Sequence, residues 1–261
     1  MENPIKQRFE RGEPVVNGWL AIPSFFTAEA MATLPWDSLT IDMQHGLSGY
    51  DTMLPMLAAI PAATPAMARV PWLEPGIIMK SLDAGCLGII CPMVNSGADA
   101  ESFIQAMRYP PRGGRSFGPT RAVLRHGPGY AAEADANCLA FAMIETKEAL
   151  DDIDAIMATD GLDAVYVGPA DLANSLGQPP RLDPEAKELT EAFDLVVAKA
   201  KEHKRWAGIH TGSAAYARRM IDKGFNLVSL MSDTRLLLKA GNDELARLRE
   251  QDGKKDDGGV Y

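Results

Sequence analysis

A chain of 261 residues, with 46% hydrophobic and 23% charged residues, is long enough to bury a large core as one domain or two. Its 26 Lys and Arg residues against 35 Asp and Glu give a net charge of −9, which argues against non-specific binding to nucleic acid or to anionic membranes. The three cysteines show no CxxC spacing, which disfavours a disulfide framework or a structural zinc site. The N-terminus lacks the apolar run of a secretory signal, and the longest uncharged stretch, 53–68, is too short to span a bilayer. We therefore expect a cytoplasmic protein.

Eight short apolar runs, each followed by a helical pattern, predict parallel strands joined by crossover helices. The predicted strands are 18–23, 38–42, 66–70, 87–92, 139–145, 164–168, 206–210 and 227–231. Because no linker or change of composition separates them, we predict one closed (β/α)8 barrel, a TIM barrel, rather than two doubly wound domains. This α/β domain is expected to occupy residues 1–251, and the polar tail 252–261 is expected to be disordered.

Local signals predict where several of the helices begin. Four starts are marked by residues that cap or open helices: Ser96, Ser213, Ser232 and the pair Asp183-Pro184. The helix predicted over 50–60 is weakened by Pro55. The connection 108–137 is far longer than an ordinary loop between a strand and a helix, so it is either functional or contains elements that the pattern hides.

Charged residues stand at the ends of several predicted strands, and in a barrel all the carboxyl ends of the strands face one mouth. In chain order these residues are Asp42, His45, Arg69, Glu145, Asp171 and His210. Two carboxylates at one mouth repel each other unless one is protonated or a cation lies between them. Glu145 and Asp171 therefore suggest a site for Mg²⁺ or Mn²⁺. The alternative is that Glu145 only caps the next helix or pairs with Lys147.

Three further features suggest how a substrate is bound and deprotonated. The turn Gly168-Pro-Ala-Asp171 suits a substrate carboxylate, or is a plain turn with Asp171 as the helix N-cap. His45 suits a general base, with Asp42 or Asp83 to fix its tautomer, although a single histidine is more often structural. Arg69, inside an apolar strand, either pairs with an acid or binds a substrate oxygen. No lysine lies within a predicted strand, which disfavours a Schiff-base mechanism.

These motifs resemble the HpcH/HpaI aldolase family, the metal-dependent class II pyruvate aldolases that include 4-hydroxy-2-oxoheptanedioate aldolase and 2-dehydro-3-deoxyglucarate aldolase. The resemblance covers about residues 18–238, and its markers are 41–46, 68–70, 82–85, 91–94, 108–115, 143–146 and 167–172. It implies a lyase that reversibly cleaves 4-hydroxy-2-oxo acids to pyruvate or hydroxypyruvate plus an aldehyde, through an enolate. Its partners would be small molecules, and neither nucleic acid nor a membrane.

The resemblance also implies roles for individual residues. It makes Glu145 and Asp171 the ligands of a divalent cation (Mg²⁺, Mn²⁺ or Co²⁺). His45, supported by Asp83, would be the base or a relay through metal-bound water. Arg69 would bind the keto oxygen and enolate, and the turn of Gly168, Pro169 and Ala170 would receive the carboxylate. It implies a homo-hexamer, a trimer of dimers, with an exchanged terminal helix and with Asp83 acting across a subunit boundary. His210 departs from the apolar residue that relatives often have there. We therefore expect it to contact a polar aldehyde or a hydroxylated donor such as hydroxypyruvate.

Two alternatives remain. A CoA-thioester lyase of the citramalyl- or malyl-CoA type needs a route for the long CoA arm, and the basic segment 112–125 offers one. A barrel that binds oxo acids without catalysis would bind pyruvate but would not exchange its methyl hydrogens with solvent.

Overall fold

The computed structural model describes residues 2–250 and contains a closed barrel of eight parallel strands in the order β1 to β8. The strands are β1 Val15–Leu20, β2 Ser38–Asp42, β3 Ala66–Arg69, β4 Gly88–Cys91, β5 Leu139–Ile144, β6 Ala164–Val167, β7 Trp206–Thr211 and β8 Leu227–Leu230. Each strand pairs with the next, and β8 closes the barrel on β1. The predicted TIM barrel is confirmed. The tail predicted to be disordered, 252–261, lies outside the described residues.

Helices surround the barrel and cover its N-terminal end. They are α1 Pro4–Glu10, α2 Phe25–Ala32, α3 Tyr50–Ala59, α4 Pro75–Ala84, α5 Gly97–Met107, α6 Thr120–His126, α7 Tyr130–Asn137, α8 Lys147–Asp151, α9 Ile153–Ala158, α10 Pro169–Ser175, α11 Lys187–Glu202, α12 Ala214–Lys223 and α13 Asp233–Glu250. Within residues 2–250, none of them is long and apolar enough to cross a membrane.

Helix α1, which the pattern of strands and helices does not predict, closes the bottom of the barrel. Asn3 caps it by accepting a hydrogen bond from the backbone N–H of Ile5, and Pro4 opens its first turn. Ile5 and Phe9 are buried against the side chains that fill the barrel interior, including Phe141. Because this end of the barrel is packed, a ligand has to enter from the opposite end, where the strands end.

The segment 108–137 is structured rather than a long loop, because it contains α6 and α7. Ser96, Ser213 and Ser232 each accept a hydrogen bond from an N–H in the first turn of a helix, so these three predicted caps are confirmed. The cap predicted at Asp183-Pro184 is wrong, since α11 begins at Lys187. Asp183 instead accepts a hydrogen bond from the N–H of Gly212 at 2.6 Å. Its carboxylate thus holds the loop after β7.

Candidate active site

A cavity of about 330 Å³ opens at the carboxyl ends of the strands. It is lined by Trp19, Ala21, Asp42, His45, Arg69, Met143, Tyr166, Gly168, Pro169, Ala170, Asp171, Leu182, His210, Ser232 and Arg235. Seven of the nine predicted site residues are therefore brought together around one cavity. The other two are Glu145, which lies directly behind Gly168, and Asp83, which is not part of the lining.

Glu145 follows β5 and is buried, with only 1% of its surface exposed. One carboxylate oxygen, Oε1, accepts a hydrogen bond from the backbone N–H of Met93 at 2.8 Å. The other oxygen, Oε2, has no hydrogen-bond partner among residues 2–250. Burial raises the pKa of Glu145 to about 7. The hydrogen bond from the Met93 N–H opposes this shift, and the negative charge of Asp171 adds to it. A buried carboxylate with an unpaired oxygen beside a second carboxylate requires either a proton or a cation.

Asp171 lies in the first turn of α10 and is exposed to the cavity. The alternative roles considered for Glu145 do not apply, because Thr146 caps α8 and Lys147 pairs with Asp151. Nor is Asp171 the N-cap of α10, since that position is Gly168. Both carboxylates are thus available to a ligand, and oxygen donors of this kind suit a divalent cation.

The turn between β6 and α10 brings the backbone against Glu145. A β-carbon at Gly168 would lie 2.5 Å from Glu145 Oε2, so only glycine allows this close approach. The first backbone hydrogen bond of α10 runs from the N–H of Leu172 to the carbonyl of Gly168 at 3.0 Å. The N–H groups of Gly168 and Ala170 come before that bond, and Pro169 has none. The predicted carboxylate-binding turn therefore offers the amides of residues 168 and 170, while Pro169 sets the direction of the chain.

Arg69 combines the two roles considered for it, since it pairs with an acid and also lines the cavity. Its Nε donates to Asp42 Oδ1 at 2.8 Å and its Nη2 to Asp42 Oδ2 at 2.6 Å. The indole Nε1 of Trp19 donates to the same carboxylate at 3.2 Å, and the Arg69 guanidinium lies 4.9 Å from the Trp19 ring centre. Burial opposes ionisation of Asp42, but the hydrogen bonds and charge of Arg69 outweigh it and lower the pKa of Asp42. Arg69 Nη1 makes no hydrogen bond within residues 2–250 and remains available to a substrate.

His45 lies in the exposed loop after β2, at the edge of the cavity. Its backbone N–H donates to Asp42 Oδ1 at 3.3 Å, whereas its imidazole has no hydrogen-bond partner within residues 2–250. Asp42 is already engaged by Arg69. Asp83, on α4, accepts a hydrogen bond from Arg115 Nη2 at 2.6 Å. Within residues 2–250, no hydrogen bond joins His45 to Asp83, and Asp83 does not line the cavity.

His210 ends the predicted seventh strand and is half-buried. Its ring packs edge-on against Trp19 with the ring centres 4.9 Å apart, and its Nδ1 lies 3.4 Å from Tyr166 Oη. Tyr166 donates to Ser229 Oγ at 2.8 Å, inside the barrel. Burial, helped by the charge of Arg69, lowers the pKa of His210 to about 3. The imidazole is therefore uncharged at neutral pH, and it can orient a polar group without adding a charge.

Sequence reasoning missed several contributors to the site, among them Trp19, Met93, Tyr166, Leu182 and Arg235. Trp19 belongs to a predicted strand, but nothing in the sequence shows that its indole reaches the carboxylate of Asp42. Met93 acts through its backbone N–H, at a positive φ of 55°, which its side chain does not reveal. Arg235 lies three residues after Ser232, which was correctly predicted to cap a helix. No other feature of the sequence indicated that Arg235 reaches the cavity.

Comparison with known proteins finds relatives that match nearly the whole chain. A family model described as HpcH/HpaI aldolase/citrate lyase matches residues 19–240. A hydroxypyruvate/pyruvate aldolase of Rhizorhabdus wittichii is 41% identical, over 95% of this chain and 99% of its own. A 4-hydroxy-2-oxo-heptane-1,7-dioate aldolase of Escherichia coli is 31% identical, over 96% and 97% of the two chains. The crystal structure of an aldolase/citrate lyase family protein from Burkholderia cenocepacia, 31% identical, superposes with a TM-score of 0.88 and covers 95% of this chain and 99% of that one.

Proposed function

Since this chain belongs to the HpcH/HpaI aldolase/citrate lyase family, we propose that it is a class II aldolase that reversibly cleaves 4-hydroxy-2-oxo acids to pyruvate or hydroxypyruvate plus an aldehyde. The observation that carries the proposal is the buried Oε2 of Glu145, which has no hydrogen-bond partner within residues 2–250 and stands beside the carboxylate of Asp171. A cation bound between these two carboxylates would neutralise their repulsion and pair the free Oε2. We expect Mg²⁺, Mn²⁺ or Co²⁺ to be held there by Glu145 and Asp171.

The bound cation would act as a Lewis acid toward the keto oxygen and carboxylate of the substrate. The amides of Gly168 and Ala170 bind the substrate carboxylate. Arg69, held by Asp42, uses Nη1 to bind the keto oxygen, where negative charge accumulates as the enolate forms. Its two contacts with Asp42 hold the guanidinium before the substrate arrives, which reduces the cost of reorganising it.

His45 supplies the base. In the cleavage direction the imidazole of His45 takes the proton from the hydroxyl on C4 of the substrate. The C3–C4 bond then breaks, and the electrons of that bond pass into the enolate as the aldehyde leaves. The enolate is then protonated on C3 to give pyruvate or hydroxypyruvate. A positioned base contributes about 10²- to 10⁴-fold to such a step. Asp83 would support His45 from a neighbouring subunit, since it does not reach His45 within the chain.

His210 bears on the choice of substrate. As an uncharged imidazole beside Trp19, it suits the hydroxyl of hydroxypyruvate or of a polar aldehyde. Replacing His210 with Leu should therefore lower kcat/KM for the hydroxylated donor more than for pyruvate. An unchanged ratio of donors and of aldehydes would remove His210 from substrate selection.

The exposed apolar face of α13 supports exchange of this helix within a homo-hexamer, a trimer of dimers. Leu237, Leu238 and Leu248 are 64%, 60% and 65% exposed, which is costly for a helix that stays on its own chain. Light scattering of the intact protein should give six subunits. Replacing these three leucines with Gln should give smaller species, and a wild-type monomer would contradict the proposal.

The contacts made by the basic segment 112–125 argue against the CoA-thioester alternative. Arg121 donates to the carbonyl of Ala84 and Arg125 to those of Leu57 and Ile60, so these cations bind the ends of α4 and α3 rather than a route for the CoA arm. Assays that compare acyl-CoA thioesters with free oxo acids separate the two activities.

Chelation tests the proposal most directly. Treatment with EDTA should abolish aldol cleavage and the exchange of pyruvate methyl hydrogens with deuterium from solvent, and Mg²⁺, Mn²⁺ or Co²⁺ should restore both. Full activity after thorough chelation would contradict the cation site. Calorimetric binding of pyruvate without any exchange would indicate a binding protein, and borohydride trapping of a substrate adduct would indicate a lysine enzyme.

A further inference from the structure

We propose that Tyr166 and Ser229, inside the barrel, are positioning residues that fix which ring nitrogen of His210 carries the hydrogen. That hydrogen lies on Nδ1, so Nε2 is left as an acceptor for the hydroxyl group of a substrate. The recognition of a substrate hydroxyl rests on the proposed function, whereas the arrangement of the hydrogen bonds does not depend on it.

A line of polar side chains crosses the interior of the barrel from β2 to β8. The hydroxyls of Ser38 and Thr40 donate to Asn17 Oδ1 at 2.8 and 3.1 Å. With its carbonyl oxygen held in this way, Asn17 directs Nδ2 to Ser229 Oγ at 2.8 Å. All four residues are fully buried. Because an amide nitrogen only donates, Ser229 Oγ accepts the hydrogen bond from Asn17.

Tyr166 joins this line to His210. Its hydroxyl donates to Ser229 Oγ at 2.8 Å, and its oxygen lies 3.4 Å from Nδ1 of His210. A hydroxyl has one hydrogen, and Tyr166 gives it to Ser229, so toward His210 the same oxygen can only accept. The hydrogen of the imidazole is therefore on Nδ1. Because burial lowers the pKa of His210 to about 3, the ring carries no second hydrogen and Nε2 keeps its lone pair.

The Tyr166 ring is packed so that its hydroxyl stays between Ser229 and His210. Only 1% of Tyr166 is exposed, and its ring stacks on Trp19 with the ring centres 5.9 Å apart. Tyr166 pairs with Gly208 between β6 and β7, and a β-carbon at Gly208 would lie 2.8 Å from Cδ2 of the ring. The ring therefore occupies the space that a side chain on β7 would need.

The second ring nitrogen of His210 is the one left for a substrate. Within residues 2–250 the imidazole makes its one hydrogen-bond contact through Nδ1, and His210 lines the cavity together with Trp19 and Arg69. A lone pair on Nε2 accepts a hydrogen bond from a hydroxyl, but it repels an ether or carbonyl oxygen, which has no hydrogen to donate. The site therefore selects a hydroxyl group and not any polar group of similar size.

Magic-angle-spinning NMR of protein labelled with ¹⁵N-histidine observes the tautomer directly and requires no activity. Comparison with His210→Gln identifies the signals of His210. Wild type should show a protonated Nδ1 and an unprotonated Nε2. Ser229→Ala removes the acceptor of the Tyr166 hydrogen, so Tyr166 should donate to Nδ1 instead and the hydrogen of His210 should move to Nε2. Tyr166→Phe, which keeps the ring, should give a mixture of both tautomers.

Substrates that differ only in a hydroxyl or a methoxy group test the consequence for recognition, with Mg²⁺ present. Hydroxypyruvate and methoxypyruvate, compared by exchange of their C3 hydrogens with deuterium, report a hydroxyl on the donor. Glycolaldehyde and methoxyacetaldehyde, added to pyruvate, report a hydroxyl on the acceptor. Wild type should favour the hydroxyl member of at least one pair, and that pair identifies the hydroxyl bound. Ser229→Ala should lower this ratio of kcat/KM values by roughly three- to tenfold, the loss expected for one neutral hydrogen bond.

Tyr216→Phe is the matched control. It also removes a buried tyrosine hydroxyl, which donates to the carbonyl of Pro184 at 2.7 Å, and Tyr216 does not line the active-site cavity. The tautomer and both substrate ratios should stay as in wild type. A general loss of packing in Ser229→Ala would slow the hydroxyl and methoxy substrates equally, so the ratio separates it from a change of tautomer.

The outcomes that would overturn the proposal are distinct. A hydrogen on Nε2 in wild type, or one that stays on Nδ1 in both Ser229→Ala and Tyr166→Phe, would show that Tyr166 and Ser229 do not position His210. A reversed tautomer that changes neither substrate ratio would overturn the recognition of a hydroxyl. The expected tautomers in a protein that neither exchanges nor condenses would uphold the two positioning residues and overturn the proposed function alone.

Discussion

Glu145 and Gly168 approach so closely that a β-carbon at position 168 would lie 2.5 Å from Glu145 Oε2. Gly168→Ala should therefore push the carboxylate away from its place beside Asp171. We expect the affinity for Mn²⁺ to fall by roughly 10- to 100-fold, as for other changes that misplace a ligand. Isothermal titration calorimetry measures this loss without relying on activity.

Gly118→Ala is the matched control, because no atom lies within 4 Å of the β-carbon it adds. It should bind Mn²⁺ as wild type does. If Gly168→Ala also bound Mn²⁺ normally while its circular dichroism spectrum stayed native, Glu145 would not be a ligand of the cation.

The raised pKa of Glu145 predicts how stability depends on pH in the metal-free protein. The pKa is about 7 in the folded state against 4.5 for an ordinary Glu, so the folded protein holds the proton more tightly than the unfolded chain does. The free energy of unfolding should therefore fall as pH rises from about 4.5 to about 7, by roughly 3 kcal/mol from this group. Urea denaturation at several pH values measures the change, and Glu145→Gln should remove that part of it.

The same protonation opposes binding of the cation, which needs the carboxylate ionised. The affinity for Mg²⁺ should therefore weaken as pH falls below about 7, with release of protons on binding near pH 6. Calorimetry in two buffers of different ionisation enthalpy detects those protons. An affinity that stays constant between pH 5.5 and 8 would show that the folded protein keeps Glu145 ionised without the cation.

Asp42 predicts a different kinetic effect, because it acts through Arg69. Asp42→Asn removes the charge that holds the guanidinium at 2.6 and 2.8 Å, so Arg69 should no longer be fixed toward the keto oxygen. We expect kcat to fall by roughly 10- to 100-fold, in line with the loss of one stabilising donor or its orientation, while Mn²⁺ affinity stays unchanged.

The ion pair between Arg108 and Asp163 provides the control for stability. Its atoms lie 2.7 Å apart, it is also largely buried, and it does not line the active-site cavity. Asp163→Asn should cost stability comparable to that lost in Asp42→Asn, with kcat for the folded enzyme unchanged. Equal kinetic losses in the two variants would mean that Asp42 acts only on stability.

The sequence predicts the fold because the barrel depends on local patterns that repeat. Apolar runs followed by helical segments lie where the strands are found, and residues at the ends of those runs, such as Arg69 and Asp171, reach one cavity because parallel strands all point the same way. The helix cap predicted at Asp183 was wrong. Asp183 precedes a proline, as a capping residue often does, but its carboxylate binds the backbone N–H of Gly212.

Contacts between distant segments account for what the sequence did not reveal. The link from Trp19 to Asp42 and on to Arg69 joins three different strands, and no spacing along the chain encodes it. Similarly, Arg121 and Arg125 in the segment 108–137 bind carbonyls at the ends of α4 and α3, which made a structural segment resemble a basic ligand-binding loop. The partner of His45 could not be identified for a different reason: within residues 2–250, no group hydrogen-bonds to its imidazole.

That missing partner gives the last prediction. Within one chain Asp83 is bound to Arg115, and the imidazole of His45 has no hydrogen-bond partner among residues 2–250, so the two should meet only between subunits. His45→Ala and Asp83→Ala should each be nearly inactive alone. Co-expression should restore activity at sites that combine His45 from one chain with Asp83 from the other, roughly a quarter of all sites for random pairing in a symmetric assembly. Co-expression of His45→Ala with Arg69→Ala should restore nothing, because both residues line the same chain's cavity. If that pair recovered as well as the first, subunits would be complementing each other for some reason other than a shared His45–Asp83 contact.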